Sequence, residues 1–252
     1  MLRRFLAAFV LLSAIGLAGI LLAKPAKTEL VSYKSGDETV QGFLATPGTS
    51  GKHPGIVVIH EWWGLNDWVK EETQKLADQG YVALAVDLYR GKIAANSDEA
   101  HELMRGLPQD RGTRDLKAAF DYLASRKDVE SNKIGSIGWC MGGSWSMQFA
   151  VAEPRLAACV VNYGALPTEA SEIAKIHAPV LGNFGAEDRG IPVDAINAFA
   201  NTMKADGKFI DVKIYDGAGH AFENPNNKAG YRPKAAKDAW GRITVFFAKN
   251  LK

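Results

Sequence analysis

Cysteine is scarce in this chain of 252 residues, which contains only Cys140 and Cys159. A chain of this length can bury a sizeable core, and two cysteines do not form the disulfide framework that short secreted domains need. The apolar spacing of Met141–Ala152 predicts a helix that carries the chain away from Cys140 by about 1.5 Å per residue. We therefore expect the two sulfurs to stay apart, with Cys159 as an inert core residue and Cys140 as a free thiol.

Histidine is also scarce, and neither sign of charge dominates. No two of the five histidines have a zinc-type spacing such as H-E-x-x-H, so we expect no metal and no cofactor. The chain has 30 basic and 28 acidic residues and a formal net charge of +2. This balance gives no support to a nucleic-acid partner. No internal repeat or low-complexity tract is present, and one large α/β domain accounts for the length.

The first 23 residues differ from the rest of the chain. Arg3 and Arg4 precede an uncharged, apolar run over residues 5–23, which is the pattern of an export signal. The run is longer than the roughly 7–15 apolar residues of a cleaved signal, so a retained N-terminal anchor is the alternative. We predict a leader over residues 1–23, cut after Ala18 or Ala23, and a folded domain over residues 24–252. The protein is expected to be exported to the periplasm or secreted, and to contact a membrane only if the leader is retained.

The remainder of the chain alternates between strand and helix patterns. The predicted strands are Leu30–Lys34, Val40–Thr46, Gly55–His60, Tyr81–Val86, Lys133–Trp139, Ala158–Tyr163, Pro179–Phe184 and Phe209–Tyr215. Helical spacing separates most of the later strands, at Trp68–Gln79, Asp98–Gly106, Thr113–Ser125 and Met141–Ala152. This alternation predicts an α/β fold with a mostly parallel, doubly wound sheet and an N-terminal antiparallel hairpin. Active sites in such sheets lie at the carboxyl ends of the strands.

Glycines lie two residues before and after Cys140, in Gly138-Trp139-Cys140-Met141-Gly142. A predicted strand ends at Trp139 and a helix begins at Met141, so Cys140 falls on the turn between them. This is the nucleophile-elbow pattern with sulfur in place of oxygen. The helix N terminus favours a thiolate, and the N–H of Met141 is placed to stabilise an oxyanion. The alternative is a small buried cysteine in a glycine-rich turn.

Three more polar side chains follow the carboxyl ends of predicted strands. Glu61 follows the third strand, Asp188 the seventh, and His220 lies on a glycine-rich loop after the last. The order of nucleophile, acid and histidine is that of α/β-hydrolases. Other candidates for the acid are Glu187, Asp194 and Asp216. Asp188 is favoured because it lies nearest to its strand end, between glycines.

Together these motifs resemble the dienelactone hydrolase family of α/β-hydrolases, from about Leu30 to Leu251. The residues that carry the resemblance are His60-Glu61-Trp62-Trp63-Gly64-Leu65-Asn66, Val86-Asp87-Leu88-Tyr89, Gly138-Trp139-Cys140-Met141-Gly142-Gly143, Gly185-Ala186-Glu187-Asp188 and Gly217-Ala218-Gly219-His220-Ala221-Phe222. The resemblance implies a carboxymethylenebutenolidase-like ester hydrolase with a triad of Cys140, Asp188 and His220. It also implies that Glu61 holds the resting thiol, and that the backbone N–H of Trp62 is the second oxyanion donor.

The sequence departs from the family where the substrate carboxylate is bound. The family uses two arginines there, and the corresponding positions of this chain are Asn224 and Ser97. Arg90 or Arg105 could substitute from nearby. We therefore expect neutral short esters or lactones to be preferred over carboxylate-bearing ones. The candidate substrate-binding residues are Trp62, Trp63, Trp145, Phe222 and Arg90.

The expected function is hydrolysis of a small ester or lactone through a thioester acyl-enzyme on Cys140, by a chain that acts as a monomer. Two alternatives belong to other classes. A thiol redox or peroxide-reducing protein would also use an exposed cysteine, although it usually needs a resolving cysteine nearby. A non-catalytic binding protein on the same fold would keep the pocket and lose a member of the triad.

Overall fold

The computed structural model describes residues 25–252. The predicted leader over residues 1–23, and with it the prediction of export or anchoring, lies outside the described residues. Within residues 25–252, no helix is long and apolar enough to cross a membrane.

One sheet of eight strands runs through the described part of the chain in the order β1-β2-β4-β3-β5-β6-β7-β8. The strands are β1 Lys27–Ser35, β2 Glu38–Thr46, β3 His53–Ile59, β4 Val82–Val86, β5 Val129–Trp139, β6 Ala158–Asn162, β7 Val180–Gly185 and β8 Ile210–Tyr215. Strands β1 and β2 form an antiparallel hairpin, and β2 pairs antiparallel with β4. Strands β4, β3, β5, β6, β7 and β8 follow in this order, and each pairs in parallel with the next. The predicted fold class is confirmed.

Helices cover both faces of the sheet. They are α1 Asp67–Asp78, α2 Ser97–Arg105, α3 Gln109–Ser125, α4 Met141–Ala152, α5 Ala170–Ile173, α6 Val193–Ala205 and α7 Pro233–Leu251. Side chains of β3 alternate between the faces, because successive residues of a strand point in opposite directions. Val57 and Ile59 pack in the core under α3, α4 and α6, whereas Ile56 and Val58 pack under α1 and α7. The strands are therefore buried on both sides, as expected of a parallel sheet.

Local sequence explains where α1 begins. Asn66 has an extended backbone, and its side chain accepts a hydrogen bond from the N–H of Val69. This is an N-cap, and it ends the loop that follows β3. The same loop carries Glu61, Trp62 and Trp63, so the cap fixes the path of residues at the carboxyl edge of the sheet.

Candidate active site

Cys140 lies on a strained turn between β5 and α4. Its backbone has φ 56° and ψ −122°, in the left-handed region that residues with a side chain rarely adopt. A Cβ on Gly138 would lie 2.0 Å from the carbonyl oxygen of Gly142, and one on Gly142 would lie 2.3 Å from that of Ile59. The two glycines are therefore needed for space, since strand and helix approach too closely for side chains. This is the geometry predicted for a nucleophile elbow.

Helix α4 starts directly at Met141, with Cys140 as the residue before it. The first N–H groups of a helix have no acceptor within it, so they point toward the cysteine end with the positive pole of the helix dipole. The Cys140 backbone is held by its own N–H, which donates to the carbonyl of Asn162 in the adjacent β6 over 3.0 Å. The side chain is partly exposed and reaches the cavity described below.

His220 and Asp188 meet although 32 residues separate them. Asp188 follows β7 and is buried, whereas His220 lies on the loop between β8 and α7. The Nδ1 of His220 lies 2.7 Å from Oδ2 of Asp188. The Oδ1 of Asp188 accepts a hydrogen bond from the N–H of Gly190 over 2.9 Å, which fixes the carboxylate. Burial raises the pKa of Asp188, but the hydrogen bond and charge of His220 outweigh it and hold this pKa below its usual value.

The pKa of His220 reports contacts on both sides of the ring. Burial lowers it, but the hydrogen bond with Asp188 and the nearby thiol of Cys140 outweigh burial and raise the pKa to about 10. The ring thus joins the buried acid to the cysteine of the elbow. The three candidate acids other than Asp188, which are Glu187, Asp194 and Asp216, are exposed, and His220 binds Asp188 instead.

Glu61 is buried beside this group, only 1% exposed. Its Oε2 accepts a hydrogen bond from Nδ2 of Asn224 over 2.6 Å, and its Oε1 accepts one from the hydroxyl of Tyr163 over 3.3 Å. Burial raises the pKa of Glu61 to about 7, although both bonds and the charge of His220 favour the carboxylate. A group with such a pKa exchanges a proton readily at neutral pH, which marks it as a functional candidate rather than a solvated surface acid.

His60, next to Glu61, has a structural role. It is fully buried, and burial lowers its pKa, so the ring is neutral. Its Nδ1 donates to the carbonyl of Glu61 over 2.6 Å, and its Nε2 accepts from the N–H of Leu88 over 3.3 Å. The ring ties the end of β3 to the loop after β4, and it thereby holds the backbone that carries Glu61 and Trp62.

Cys140, His220 and Glu61 open into a cavity of about 820 Å³ at the carboxyl edge of the sheet. Trp62 and Trp63 form part of its wall, with ring centroids 4.9 Å apart. Other lining residues come from the loops after β3 and β8 and from α2: Asn66, Met104, Ala221, Asn224, Asn226, Asn227, Lys228 and Ala229. A cavity of this size fits a small organic molecule.

Three of the predicted substrate-binding residues lie elsewhere. Arg90 binds Glu38 over 2.9 Å and Asp115 over 2.8 Å, and it does not line the cavity. Trp145 is a core residue of α4 whose ring packs against the backbone of Gly112. Phe222 is fully buried against Tyr163 and Tyr215. The expected roles of Arg90, Trp145 and Phe222 in contacting substrate are therefore corrected to structural ones, and Arg105 is likewise absent from the cavity wall.

Tyr163 and Lys228 also lie at the site, although neither is among the candidates predicted from the sequence. Tyr163 directly follows β6, and its ring also packs edge-on against that of His220, with centroids 5.3 Å apart. The rule that polar residues after parallel strands gather at one edge would have found it. Lys228 brings an ammonium group to the cavity from the loop before α7, where no pattern in the sequence marks it.

Cys159 lies in the core, away from this edge of the sheet. It pairs with Ser136 of β5, four residues before Cys140, which places the two cysteines on the order of 13 Å apart at about 3.3 Å per residue. A disulfide needs Cα atoms within about 7 Å. Burial raises the pKa of Cys159 to about 11, and its sulfur contacts Ser146. The prediction that Cys159 is a buried core residue is confirmed, so it is not placed to resolve an oxidised Cys140.

Comparison with known proteins gives a consistent result along the chain. The sequence model described as "Dienelactone hydrolase family" matches residues 40–251. "Protein usf" of Aquifex pyrophilus is 34% identical over 234 residues, which cover 88% of this chain and 99% of that protein. A protein of Aquifex aeolicus named "Putative carboxymethylenebutenolidase" is 32% identical over 231 residues, with 89% of this chain and 99% of that protein covered.

Solved structures resemble the fold over a similar length. The structure titled "Dienelactone Hydrolase-like Promiscuous Phospotriesterase P91", from metagenomic libraries, superposes with a TM-score of 0.84 and 27% sequence identity. The superposition covers 91% of this chain and 100% of that one.

Proposed function

Because the chain belongs to the dienelactone hydrolase family, we propose that it hydrolyses small ester or lactone substrates through a thioester formed on Cys140. The observation that carries this proposal is the bond between Asp188 and His220, with Cys140 beside the same ring on the cavity wall. A buried acid that orients a histidine, and a histidine in contact with a nucleophile, are the parts that acyl transfer requires. The cavity beside them supports binding of a small molecule.

In the proposed first step, the sulfur of Cys140 attacks the carbonyl carbon of the ester. The thiol proton moves to Nε2 of His220, and Asp188 stabilises the imidazolium through the bond to Nδ1. The tetrahedral intermediate then collapses, the carbon–oxygen bond to the alcohol breaks, and His220 returns the proton to the leaving oxygen. Water attacks the thioester with His220 as base, which releases the acid and restores the thiol.

Two backbone N–H groups are proposed to hold the negative oxygen of this intermediate. That of Met141 belongs to the first turn of α4, where helix N–H groups lack an internal acceptor. That of Trp62 follows Glu61 on the loop held by His60. Donors fixed in this way need no reorganisation during the reaction, and each such donor is worth about a hundredfold or more in rate.

Glu61 is proposed to hold the thiol of Cys140 in the resting enzyme. Its pKa of about 7 lets it accept a proton at neutral pH, and its bonds to Asn224 and Tyr163 keep the carboxylate in place. On this account Glu61 protects the thiol between turnovers, whereas His220 moves the protons of the acyl transfer.

A chromogenic ester assay tests the proposed function. Short p-nitrophenyl esters should be hydrolysed, and iodoacetamide should abolish the activity by alkylating Cys140. Intact-protein mass spectrometry of rapidly quenched samples should detect one acyl group, and peptide mapping should locate it on Cys140, with the buried Cys159 unmodified as an internal control. Full activity after alkylation of Cys140, or an acyl group elsewhere, would refute the proposal and return attention to a redox or binding role.

We also propose that residues 1–23 act as an export signal or a retained anchor, that residues 24–252 form the catalytic domain, and that the enzyme is a monomer. The support for the leader is the sequence pattern of Arg3 and Arg4 before an apolar run.

A further inference from the structure

Both ends of the short segment 220–224 bind a carboxylate of the candidate active site. At one end, Nδ1 of His220 lies 2.7 Å from Oδ2 of Asp188. At the other end, Nδ2 of Asn224 donates to Oε2 of Glu61 over 2.6 Å. Asp188 follows β7 and Glu61 follows β3, so these two bonds fix the segment relative to two strands of the sheet. Neither bond reaches β5, the strand before the elbow.

Glu223, in the same segment, supplies a bond to β5. Its Oε2 accepts a hydrogen bond from Nε1 of Trp139 over 3.1 Å, across 84 residues of sequence. Trp139 is the last residue of β5 and directly precedes Cys140. The bond therefore joins the strand end that carries the thiol to the loop that carries the ring of His220.

Both partners of this bond are packed in the interior. Trp139 is 1% exposed, and its ring meets that of Trp68 edge to face, with centroids 5.3 Å apart. Glu223 is 8% exposed. Protein interiors are close-packed and transmit strain between neighbouring side chains. A change at Glu223 is therefore passed to the indole ring and from there to the backbone beside Cys140.

The backbone around Glu223 is fixed as well. Ala221 has φ 56°, in the left-handed region, and its carbonyl accepts from the N–H of Asn224 over 3.2 Å, which closes a turn. The carbonyl of Phe222 accepts from the N–H of Arg232, just before α7, over 2.9 Å. The bond from Glu223 to the indole ring therefore connects two fixed parts, the elbow and this turn, and it limits how far they can separate.

The bond does not require a charge on Glu223. Burial raises the pKa of this carboxyl to about 8, and the charges of Glu72 and Glu61 act in the same direction. At neutral pH the group is therefore mostly protonated, and it serves as a neutral acceptor for the indole N–H. An apolar side chain of equal volume could fill the same space, but only an acceptor gives the contact a direction, because hydrogen bonds depend on angle.

We propose that Glu223 is a positioning residue of the hydrolase. Through its bond to Trp139 it sets the distance between the thiol of Cys140 and the ring of His220. This inference rests on the proposed function, in which that pair carries out acyl transfer. Proton transfer needs donor and acceptor within hydrogen-bond reach, and a misplacement of about 1 Å can cost about a hundredfold in rate. Loss of the bond should therefore slow the reaction without weakening the binding of substrate.

Substitutions of two buried acids test this role in ester hydrolysis. Glu223→Met keeps the length of the side chain and removes the acceptor, so kcat should fall at least about tenfold while KM stays within about threefold. Glu223→Gln keeps an acceptor without the carboxyl group and should hold kcat within about threefold of wild type. Glu72→Met makes the same change at a second buried acid, whose partner is Lys75, and should also keep kcat within about threefold.

Trp139→Phe tests the same bond from its other end, and it decides the question if Glu223→Met does not fold. It removes the Nε1 donor and keeps an aromatic ring, so kcat should fall about as far as in Glu223→Met. The double variant should show no further fall, because both changes remove one bond. Trp68→Phe makes the same truncation in the neighbouring ring and should keep kcat within about threefold.

NMR titration of the His220 ring gives a readout that does not need turnover. The nearby thiol of Cys140 contributes to the raised pKa of His220, so a larger separation in Glu223→Met should lower the titration midpoint from about 10 toward its ordinary value. Glu223→Gln should leave the midpoint unchanged. A wild type that hydrolyses no ester would refute the proposed function, whereas this midpoint would still test whether Glu223 positions the ring.

The kcat of wild type in folded Glu223→Met would overturn the inference. So would a fall in Glu223→Gln or in Glu72→Met as large as that in Glu223→Met, since the cause would then be the lost carboxyl group or a general loss of stability. Additive losses in the double variant, or a His220 midpoint that does not move in Glu223→Met, would overturn it as well.

Discussion

Asn224 donates from Nδ2 to Oε2 of Glu61 over 2.6 Å, at the position where the sequence resemblance leads us to expect an arginine. An amide gives the carboxylate one hydrogen bond without a positive charge. Burial therefore dominates, and the pKa of Glu61 rises to about 7. The amide of Asn224 offers no positive charge to a substrate carboxylate, and it leaves the titration of Glu61 near neutral pH.

The Glu61 titration predicts a pH dependence of stability. The pKa of Glu61 is raised by folding from 4.5 to about 7, so between these values the unfolded chain ionises while the folded carboxyl stays protonated. The free energy of unfolding therefore loses a contribution as pH rises through this window, of about 3 kcal/mol at most. Glu61→Gln removes this loss. Urea unfolding at pH 4.5 and at pH 8 should show the variant gaining stability relative to wild type at the higher pH.

Measuring the same variant at both pH values is the control, because any packing defect of Glu61→Gln lowers its stability equally at pH 4.5 and at pH 8. A stability difference that does not change with pH would contradict the raised pKa. A change in the opposite direction would mean that Asn224 and Tyr163 outweigh burial.

The acyl-enzyme mechanism predicts different outcomes for the two cysteines. Cys140→Ser keeps the shape of the elbow but supplies a hydroxyl, which is a poor nucleophile without full proton removal by His220. We expect kcat to fall at least about a hundredfold. Cys159→Ser should keep kcat within a few-fold, with any loss confined to stability, since its sulfur is buried beside Ser146. Loss of turnover in folded Cys159→Ser, with turnover retained in Cys140→Ser, would show that the elbow assignment is wrong.

The Asp188–His220 bond predicts a shift in the titration of His220. Asp188→Asn keeps the shape but removes the charge that favours the imidazolium, so the pKa of His220 should fall from about 10 toward its ordinary value. NMR titration of the His220 ring measures this. The raised pKa contributes stability that is present below about pH 6.5 and is lost as pH rises toward 10, so this pH dependence should also shrink in the variant. The rate should fall at least about a hundredfold.

A titration midpoint of His220 unchanged in Asp188→Asn would mean that another group sets its pKa. The matched control is Asp194→Asn, which alters an exposed candidate acid on α6 and should leave both the midpoint and the rate unchanged.

Much of the fold and of the candidate active site could be predicted from the sequence, because strand ends and glycine spacing are local signals. The apolar spacing predicts the helix after the elbow at Met141–Ala152, as observed, and Gly138 and Gly142 mark the close approach that defines the turn. Helix α3 begins four residues before the predicted start at Thr113, because Pro108 sets its N terminus. Gly112 hides the helical pattern of the first turn, and it is a glycine because the ring of Trp145 packs against it. No local signal could reveal this contact.

Residues that line the catalytic cavity are harder to predict, because the identity of an aromatic residue does not determine whether its side chain points into the cavity or into the core. Trp63 lines the cavity, whereas Phe222 points into the core and Trp145 packs across α3. Arg90 lies close in sequence to the loop after β4, but the buried carboxylate of Asp115 holds its guanidinium. That partner lies 25 residues away along the chain, and only the packing of α3 against the sheet brings it near.

The predicted boundary at residue 24 has a direct test. Strand β1 begins at Lys27 and pairs along its full length with β2, so the described fold has a complete edge without residues 1–23. A protein expressed from Lys24 should be soluble, melt cooperatively, and keep the kcat of the full chain. Insoluble protein without a cooperative transition would contradict the boundary.

The cavity wall predicts which substrates are preferred. Asn224 binds Glu61 and Arg90 binds Asp115, so neither supplies a planar pair of donors to a substrate carboxylate. Apart from the ring of His220, Lys228 is the remaining cation that residues 25–252 place on the wall, and it is exposed, so solvent screens its interaction with an anion. Neutral short esters and lactones should therefore have a higher kcat/KM than a dienelactone carboxylate. Lys228→Met should leave neutral esters within about twofold and lower kcat/KM for the carboxylate by less than about fivefold, in line with one exposed charge pair. A carboxylate substrate that is strongly preferred, with a preference that Lys228→Met abolishes, would identify Lys228 as the ligand of the substrate carboxylate.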